Sequence, residues 1–382
     1  VASKLEKDCV NPKAFVLRYY RDGKILSEAN LVPQMQEKYG HPYWQAHRAD
    51  FHRALLERAL ELGVQVHINS QVCRVDFNFP PRVWTLAGKE YSADLVVGCD
   101  GLRSICREML VGHADPPHET GDIAYRILVP VQDMRPHPEL QEFVESPAIN
   151  YWMGPDGHAV CYLLKGGNLY NVVLLYNHLP SWEMLIDIAP DDLPKNMNTA
   201  KGDVEEMRAF FGKWDPKLRK LLSLVDTCLK WKLQNSDPSA LATWVHPYGT
   251  FCLLGDAAHA TLPYLAQGAA ISVEDGAVLG GLLGKICSKN DVPRVLALYE
   301  ELRRPRTSAV VLGSRKQRDI FHLHDGPEQE ERDRVLLGQH PPQSGYPNQW
   351  ADPVMQEFLF GYDGDVEVER AWDTLMKQLP RP

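Results

Sequence analysis

"FCLLGDAAHATLPYLAQGAAISVEDG" occupies residues 251–276. An apolar run stops on Gly255-Asp256, a loop carrying Pro263 follows, and a run of small residues sets in at Gln267-Gly268-Ala269. A short apolar run bounded by turn residues is a buried strand, and the small-residue run has helical length. In an open α/β sheet, ligands gather at the carboxyl ends of the strands. A helix starting near Gly268 would aim unpaired N–H groups and a partial positive charge at the same place. A plain turn with a capping aspartate fits the spacing equally well. The stretch therefore sets an α/β fold and a candidate site, but not the ligand. No glycine-rich phosphate loop occurs here or elsewhere in the chain.

A second segment has the same form. "ADLVVGCDG" (93–101) is a buried-strand pattern ending on Asp100-Gly101, and Ser104 is a good N-cap for a helix after it. Upstream, "RADFHRALLERALELG" (48–63) carries apolar residues at helical spacing with Gly63 at the C-cap, and "VQVHI" (64–68) follows as an expected strand. Residues 71–79 and 82–87 are also β-rich. Between 14 and 30, two β-rich runs flank Asp22-Gly23, a hairpin signal.

The middle of the chain differs. "DIAYRILVPV", "PAINYWMG", "HAVCYLL" and "NLYNVVLLY", within 121–176, are successive strand candidates divided by Gly, Pro and Asp. Such a series implies an antiparallel sheet forming its own layer. Residues 181–226 have a mainly helical pattern, and "KWKLQN" is a further strand. Small and apolar residues recur at helical spacing over 266–320, with Pro305 an expected break or kink. Short helices are expected near 351–360 and 366–378.

Composition narrows the function classes. Hydrophobic residues make up 44% and charged residues 24%, values of a globular chain. The net charge of −9 opposes a general nucleic-acid or anionic-membrane surface. The densest basic runs, "ELRRPR" (301–306) and "SRKQR" (314–318), are expected to form a solvated helix face. The eight cysteines are scattered with no C-x-x-C, and there is no glycosylation acceptor site or secretory leader, which points to a reducing, cytoplasmic setting. No apolar stretch is long enough to span a bilayer. No zinc-type spacing, H-E-x-x-H, G-x-S-x-G or P-loop occurs, so no metal is expected. His322 and His324 in "FHLHDG" are expected to be surface or packing residues.

The ordered set Gly255-Asp256, His259, Pro263, Gln267-Gly268 and Glu274-Asp275 resembles the second flavin-binding motif of the single-component FAD-dependent aromatic hydroxylases, the salicylate and p-hydroxybenzoate hydroxylase family. "DLVVGCDGLRSICRE", "HRADFHRALLERA", "YRILVP" and "YEELRRPR" extend the resemblance over nearly the whole chain. It implies an FAD-binding Rossmann-like layer with an inserted antiparallel-sheet substrate domain. The expected divisions are a hairpin region near the substrate layer (1–39), FAD-binding segments (40–112 and 245–320), the substrate sheet (113–244) and a helical tail (321–382).

By matched position, the resemblance implies that Asp256, beside Gly255, hydrogen-bonds the ribityl chain. The N–H groups of Gly268 and Ala269, after Gln267, face the flavin N1–O2 edge, where a helix start stabilises negative charge. Pro263 lies along the ring, Arg48 reaches the phosphates, and Asp100-Gly101 serve the FAD and NAD(P)H contacts. For the substrate, His158 and Tyr162 in "GHAVCYLL" share one strand face and are candidates for relaying a phenol proton. A hydrogen-bonded core pair is the plain alternative. Arg126 in "AYRILVP" is a candidate partner for a phenolate or carboxylate, with Tyr125 on the opposite face.

The implied activity is hydroxylation of a phenolic or heteroaromatic substrate with NADH or NADPH and O2, through a flavin C4a-hydroperoxide. An epoxidase, a dearomatising hydroxylase of a larger phenolic, or a non-catalytic relative that packs on a partner remain as alternatives. A homodimer is an open option. The chain opens on "VASKLEKDCV" without methionine, and the family's N-terminal βαβ unit with G-x-G-x-x-G has no counterpart in it. A fragment of a longer enzyme, one chain of a pair and a shortened relative are the competing accounts. Weak FAD binding by the chain alone is the expectation.

Overall fold

The structure is a computed structural model and describes residues 1–177 and 199–378. In chain order its strands are β1 (Ala14–Tyr19), β2 (Ile25–Asn30), β3 (Val72–Asp76), β4 (Arg82–Thr85), β5 (Glu90–Ser92), β6 (Val96–Gly98) and β7 (His118–Pro130). They continue with β8 (Ile149–Gly154), β9 (Gly157–Leu164), β10 (Leu169–Asn177), β11 (Thr199–Gly202), β12 (Cys228–Asn235) and β13 (Phe251–Leu253). The fold is mixed α/β, as expected, and the chain divides into two compact units. One comprises 1–66, 121–233 and 318–361; the other comprises 67–120, 234–317 and 362–382.

The first unit is built on an eight-stranded sheet in the order β11-β12-β7-β10-β9-β8-β1-β2. β7, β10, β9 and β8 are the expected strand series, paired antiparallel. The Asp22-Gly23 hairpin forms as β1–β2, with Gly23 at φ +73°. Expected near the substrate layer, the hairpin extends that same sheet, with β1 parallel to β8. One sheet face carries Trp152, Cys161, Tyr170, Val172 and Tyr125, packed on Met207, Phe211, Leu218 and Leu221 of the helices Val204–Phe210 and Pro216–Ser223. Asp215 caps the second of these through the Lys217 N–H and accepts from Trp152 Nε1 at 2.7 Å. The part of the expected helical region at 181–198 lies outside the described residues.

The second unit pairs β6 with β13 in parallel, beside the β3-β4-β5 meander. Two expectations fail locally. The run 64–68 forms no strand: the Val64 N–H bonds to the Ala59 carbonyl in finishing the helix Arg48–Glu61, and Val64, Val66 and Ile68 are exposed. A β-rich sequence without a ladder partner gains nothing from extension. Of the break or kink expected at Pro305, the break does not occur, because the helix Val292–Phe321 runs through it. The helices Pro353–Phe360 and Gly364–Gln378 fall close to where they were expected.

Candidate functional site

The candidate residues fall on both units. In the second, β6 and β13 run in register, Leu253 beside Gly98, and the Leu254 N–H donates to the Gly98 carbonyl. The turns carrying Asp100-Gly101 and Gly255-Asp256 therefore leave the same edge of a parallel pair. Gly98 admits no side chain, since a Cβ would sit 2.8 Å from that of Cys106. The Asp100 carboxylate closes its own turn, accepting from Ser104 Oγ and, at 3.1 Å, from the Cys106 N–H. Ser104 Oγ in turn caps the helix Ile105–Val111. Gly101 adopts φ +82°.

Gly255 has φ 65° and ψ −143°, a conformation nearly reserved for glycine. Asp256 is exposed, as are Pro263 and Ala269. The helix Gly268–Leu283 starts after buried Gln267 with no side-chain cap and no acidic residue in its first turn. Its leading N–H groups, bordered by glycine and alanine, suit an electron-rich edge. The loop between is fixed along its length: Arg107 donates to Ala258 O, the Ser236 N–H to Ala260 O, and Ser314 Oγ to Leu262 O.

Beneath the turn lies a buried charge network. Asp275 accepts from the Gly255 N–H at 3.0 Å, faces His259 Nε2 at 2.5 Å and accepts from Arg303 Nε at 2.7 Å. Arg303 also reaches Glu274, which Arg306 grips with two bonds of 2.8 Å. Tyr362 stacks on both guanidiniums. Burial alone would raise the Asp275 carboxyl; His259 and Arg303 hold it below its ordinary value instead. The "ELRRPR" run is thus not a solvated face. Arg303 and Arg306 are buried because buried Asp275 and partly buried Glu274 lie opposite them.

In the first unit, register settles which side chains share a face. Tyr162 on β9 pairs with Asn171 on β10, Asn171 with Leu128 on β7, and Val173 with Arg126. Directly opposed residues share a face, so Arg126, Tyr162 and His158 lie on one side and Tyr125 on the other. Arg126 and Tyr162 are half-buried; His158 is fully buried. Its Nδ1 stands 2.9 Å from His322 Nε2, and its ring packs on Tyr151 and Phe321. Burial pushes both imidazoles well below their usual range, His322 to about 3, so the pair is neutral and shares an N–H···N bond. Of the two histidines expected to be surface or packing residues, His324 is exposed and paired with Asp156, and His322 is the packing residue. Its role carried no local sequence signal, because His158 and His322 meet only through the tertiary fold. Arg48 is exposed at the start of its helix, next to buried Asp50, which Lys165 and Arg53 contact. Burial lowers the Arg126 pKa, and the like charge of Arg48 lowers it further.

Comparison with known proteins fits this geometry. Residues 226–314 match the family model described as an FAD binding domain. The FAD-dependent monooxygenase OpS4 of Beauveria bassiana (strain ARSEF 2860) is 40% identical over 375 residues, which is 97% of this chain and 84% of that protein. The 3-hydroxybenzoate 6-hydroxylase of Polaromonas naphthalenivorans (strain CJ2) is 31% identical over 84% of this chain and 74% of its own length. A salicylate hydroxylase substrate complex superposes with a TM-score of 0.77 at 25% identity, covering 96% of this chain and 84% of that one.

Proposed function

The chain belongs to the FAD-dependent monooxygenases, and from that premise we propose that it hydroxylates a small phenolic acid of the hydroxybenzoate type with NAD(P)H and O2. One oxygen atom enters the ring; the other leaves as water, with NAD(P)H and a proton supplying the electrons and hydrogen. Bound FAD would supply the electron transfer to O2, which no side chain here can perform.

The observation that carries this reading is the shared edge of β6 and β13, where two strand-end turns stand on a frame that Asp275 holds rigid. Asp256 would take the ribityl chain, the Gly268 and Ala269 N–H groups the flavin edge, and Pro263 would flank the ring. Arg48 would offer charge to the phosphates. Because the Asp100 carboxylate is engaged with Ser104 and Cys106, we assign it to shaping its turn, with Gly101 leaving room for a ligand. On the sheet face, Arg126 would hold the substrate anion. Tyr162 would meet the phenol oxygen, and neutral His158, bonded to His322, would position this face rather than take the proton.

The test is NAD(P)H consumption by the flavin-loaded protein in air with 3-hydroxybenzoate and related acids. Stimulated consumption with a product one oxygen heavier is expected. Consumption that ignores every hydroxybenzoate would refute the reading.

A further inference from the structure

Three buried nitrogen donors on neighbouring strands of the large sheet have no acceptor: Arg126 Nε on β7, Asn171 Nδ2 on β10 and Trp231 Nε1 on β12. They lie together. The Arg126 guanidinium sits 4.8 Å above the Trp231 ring, and Asn171 is a diagonal neighbour of Arg126, two residues before its partner Val173. Tyr162 stands directly opposite Asn171 on β9. Among the described residues, no carboxylate forms an ion pair with Arg126. Arginine and tryptophan nitrogens are donors only, so the group that completes the set must accept hydrogen bonds, and beside an unpaired guanidinium an anionic acceptor is the best match.

Buried polar groups are nearly always hydrogen-bonded, and a buried cation without a counter-ion is costlier still. The opposite face of the same sheet is a close-packed apolar core, so the donors are not products of loose packing in this unit. Nor is the charge cancelled from the flank, since Arg48 adds a second cation.

We propose that Arg126, Trp231 and Asn171 form an oxyanion cradle that selects the carboxylate of an aromatic acid, with the ring directed toward Tyr162. The proposal rests on the hydroxylase reading and deepens it by assigning acid selectivity to two residues, Trp231 and Asn171, that have no other assigned role. Trp231 acts twice: its face supports the guanidinium, and its N–H bonds the anion.

Calorimetric titration of the full chain, flavin-loaded and flavin-free, with 3-hydroxybenzoate and with phenol tests this without turnover. The parent protein should favour the acid by about tenfold or more, because charge-assisted bonds are the strong ones. Arg126→Met should weaken acid binding about 100-fold and phenol binding hardly at all. It should also melt no lower than the parent, because it removes an unpaired buried charge. Trp231→Phe keeps the ring under the guanidinium and deletes only the N–H; a loss of about tenfold for the acid alone is expected. Equal binding of acid and phenol by the parent overturns the cradle. So does parent-like acid binding in Trp231→Phe and Asn171→Leu together. Acid-selective binding without product formation would instead defeat the hydroxylase reading and leave the cradle standing.

Discussion

The network under Gly255 and the donors around Arg126 are both buried and both cationic at their centres, yet they are opposites in satisfaction. Arg303 is wholly enclosed and meets two carboxylates, Asp275 and Glu274, within 2.7 Å. Arg126 is half-buried and meets an indole face and no carboxylate among the described residues. A buried charge with its counter-ions in place is a strut, and substitution of either partner leaves the other stranded. A buried charge without one is a receptor, stable only because the rest of the sheet holds it there.

The contrast is most exposed at Asp275. Asp275→Asn leaves Arg303 without its second carboxylate and weakens the hold on Gly255 and His259, so a loss of about 3–5 kcal/mol is expected in urea unfolding. A loss below about 1 kcal/mol would mean that the network is not a strut. Next in size is the substrate face. Tyr162→Phe should slow hydroxylation about 100-fold while flavin reduction by NAD(P)H stays near the parent rate; equal slowing of both steps would remove Tyr162 from proton transfer.

Acidity probes the neutral pair beside it. His158 and His322 have folded pKa values below the usual 6.5, with His322 near 3. Below pH 6.5 the unfolded chain binds protons that the folded pair refuses, so stability falls with falling pH. The slope is about 1.4 kcal/mol per unit for each histidine kept neutral. Asp275 adds to the loss only below its ordinary value of 3.8, since its folded pKa is depressed. His322→Gln should flatten the slope above pH 4; an unchanged slope would place the titration elsewhere. The smallest effect belongs to Asp256→Ala, at the exposed tip of the frame. It should weaken FAD retention about tenfold by dialysis without lowering the melting temperature. Parent-like retention would deny Asp256 a cofactor contact.

Much of this was legible locally. The Ser104 cap, the Asp22-Gly23 hairpin and the opposition of Tyr125 and Arg126 each depend on a few adjacent residues, and each formed as the pattern required. The strand expected at 64–68 did not, because β propensity needs a partner that no local window contains. Arg303 and Arg306 were misread for a related reason. Whether a basic helix face is wet depends on what packs against it, and Glu274-Asp275 lie nearly thirty residues away in sequence. Trp231 and Asn171 carried no signal either, since ordinary strand residues become a donor cluster only once β12, β7 and β10 are neighbours.

Sequence alone determined the α/β class, the strand-turn-helix at 251–276 and the flavin family, because these rest on short-range periodicity and on an ordered motif. Tertiary structure decided which charges are paired and which, among the described residues, are left without a counter-ion. Hydrogen-bond satisfaction is a property of atoms brought together by sheet order and register, and β9, β10, β7 and β12 assemble that face from segments spread between His118 and Asn235.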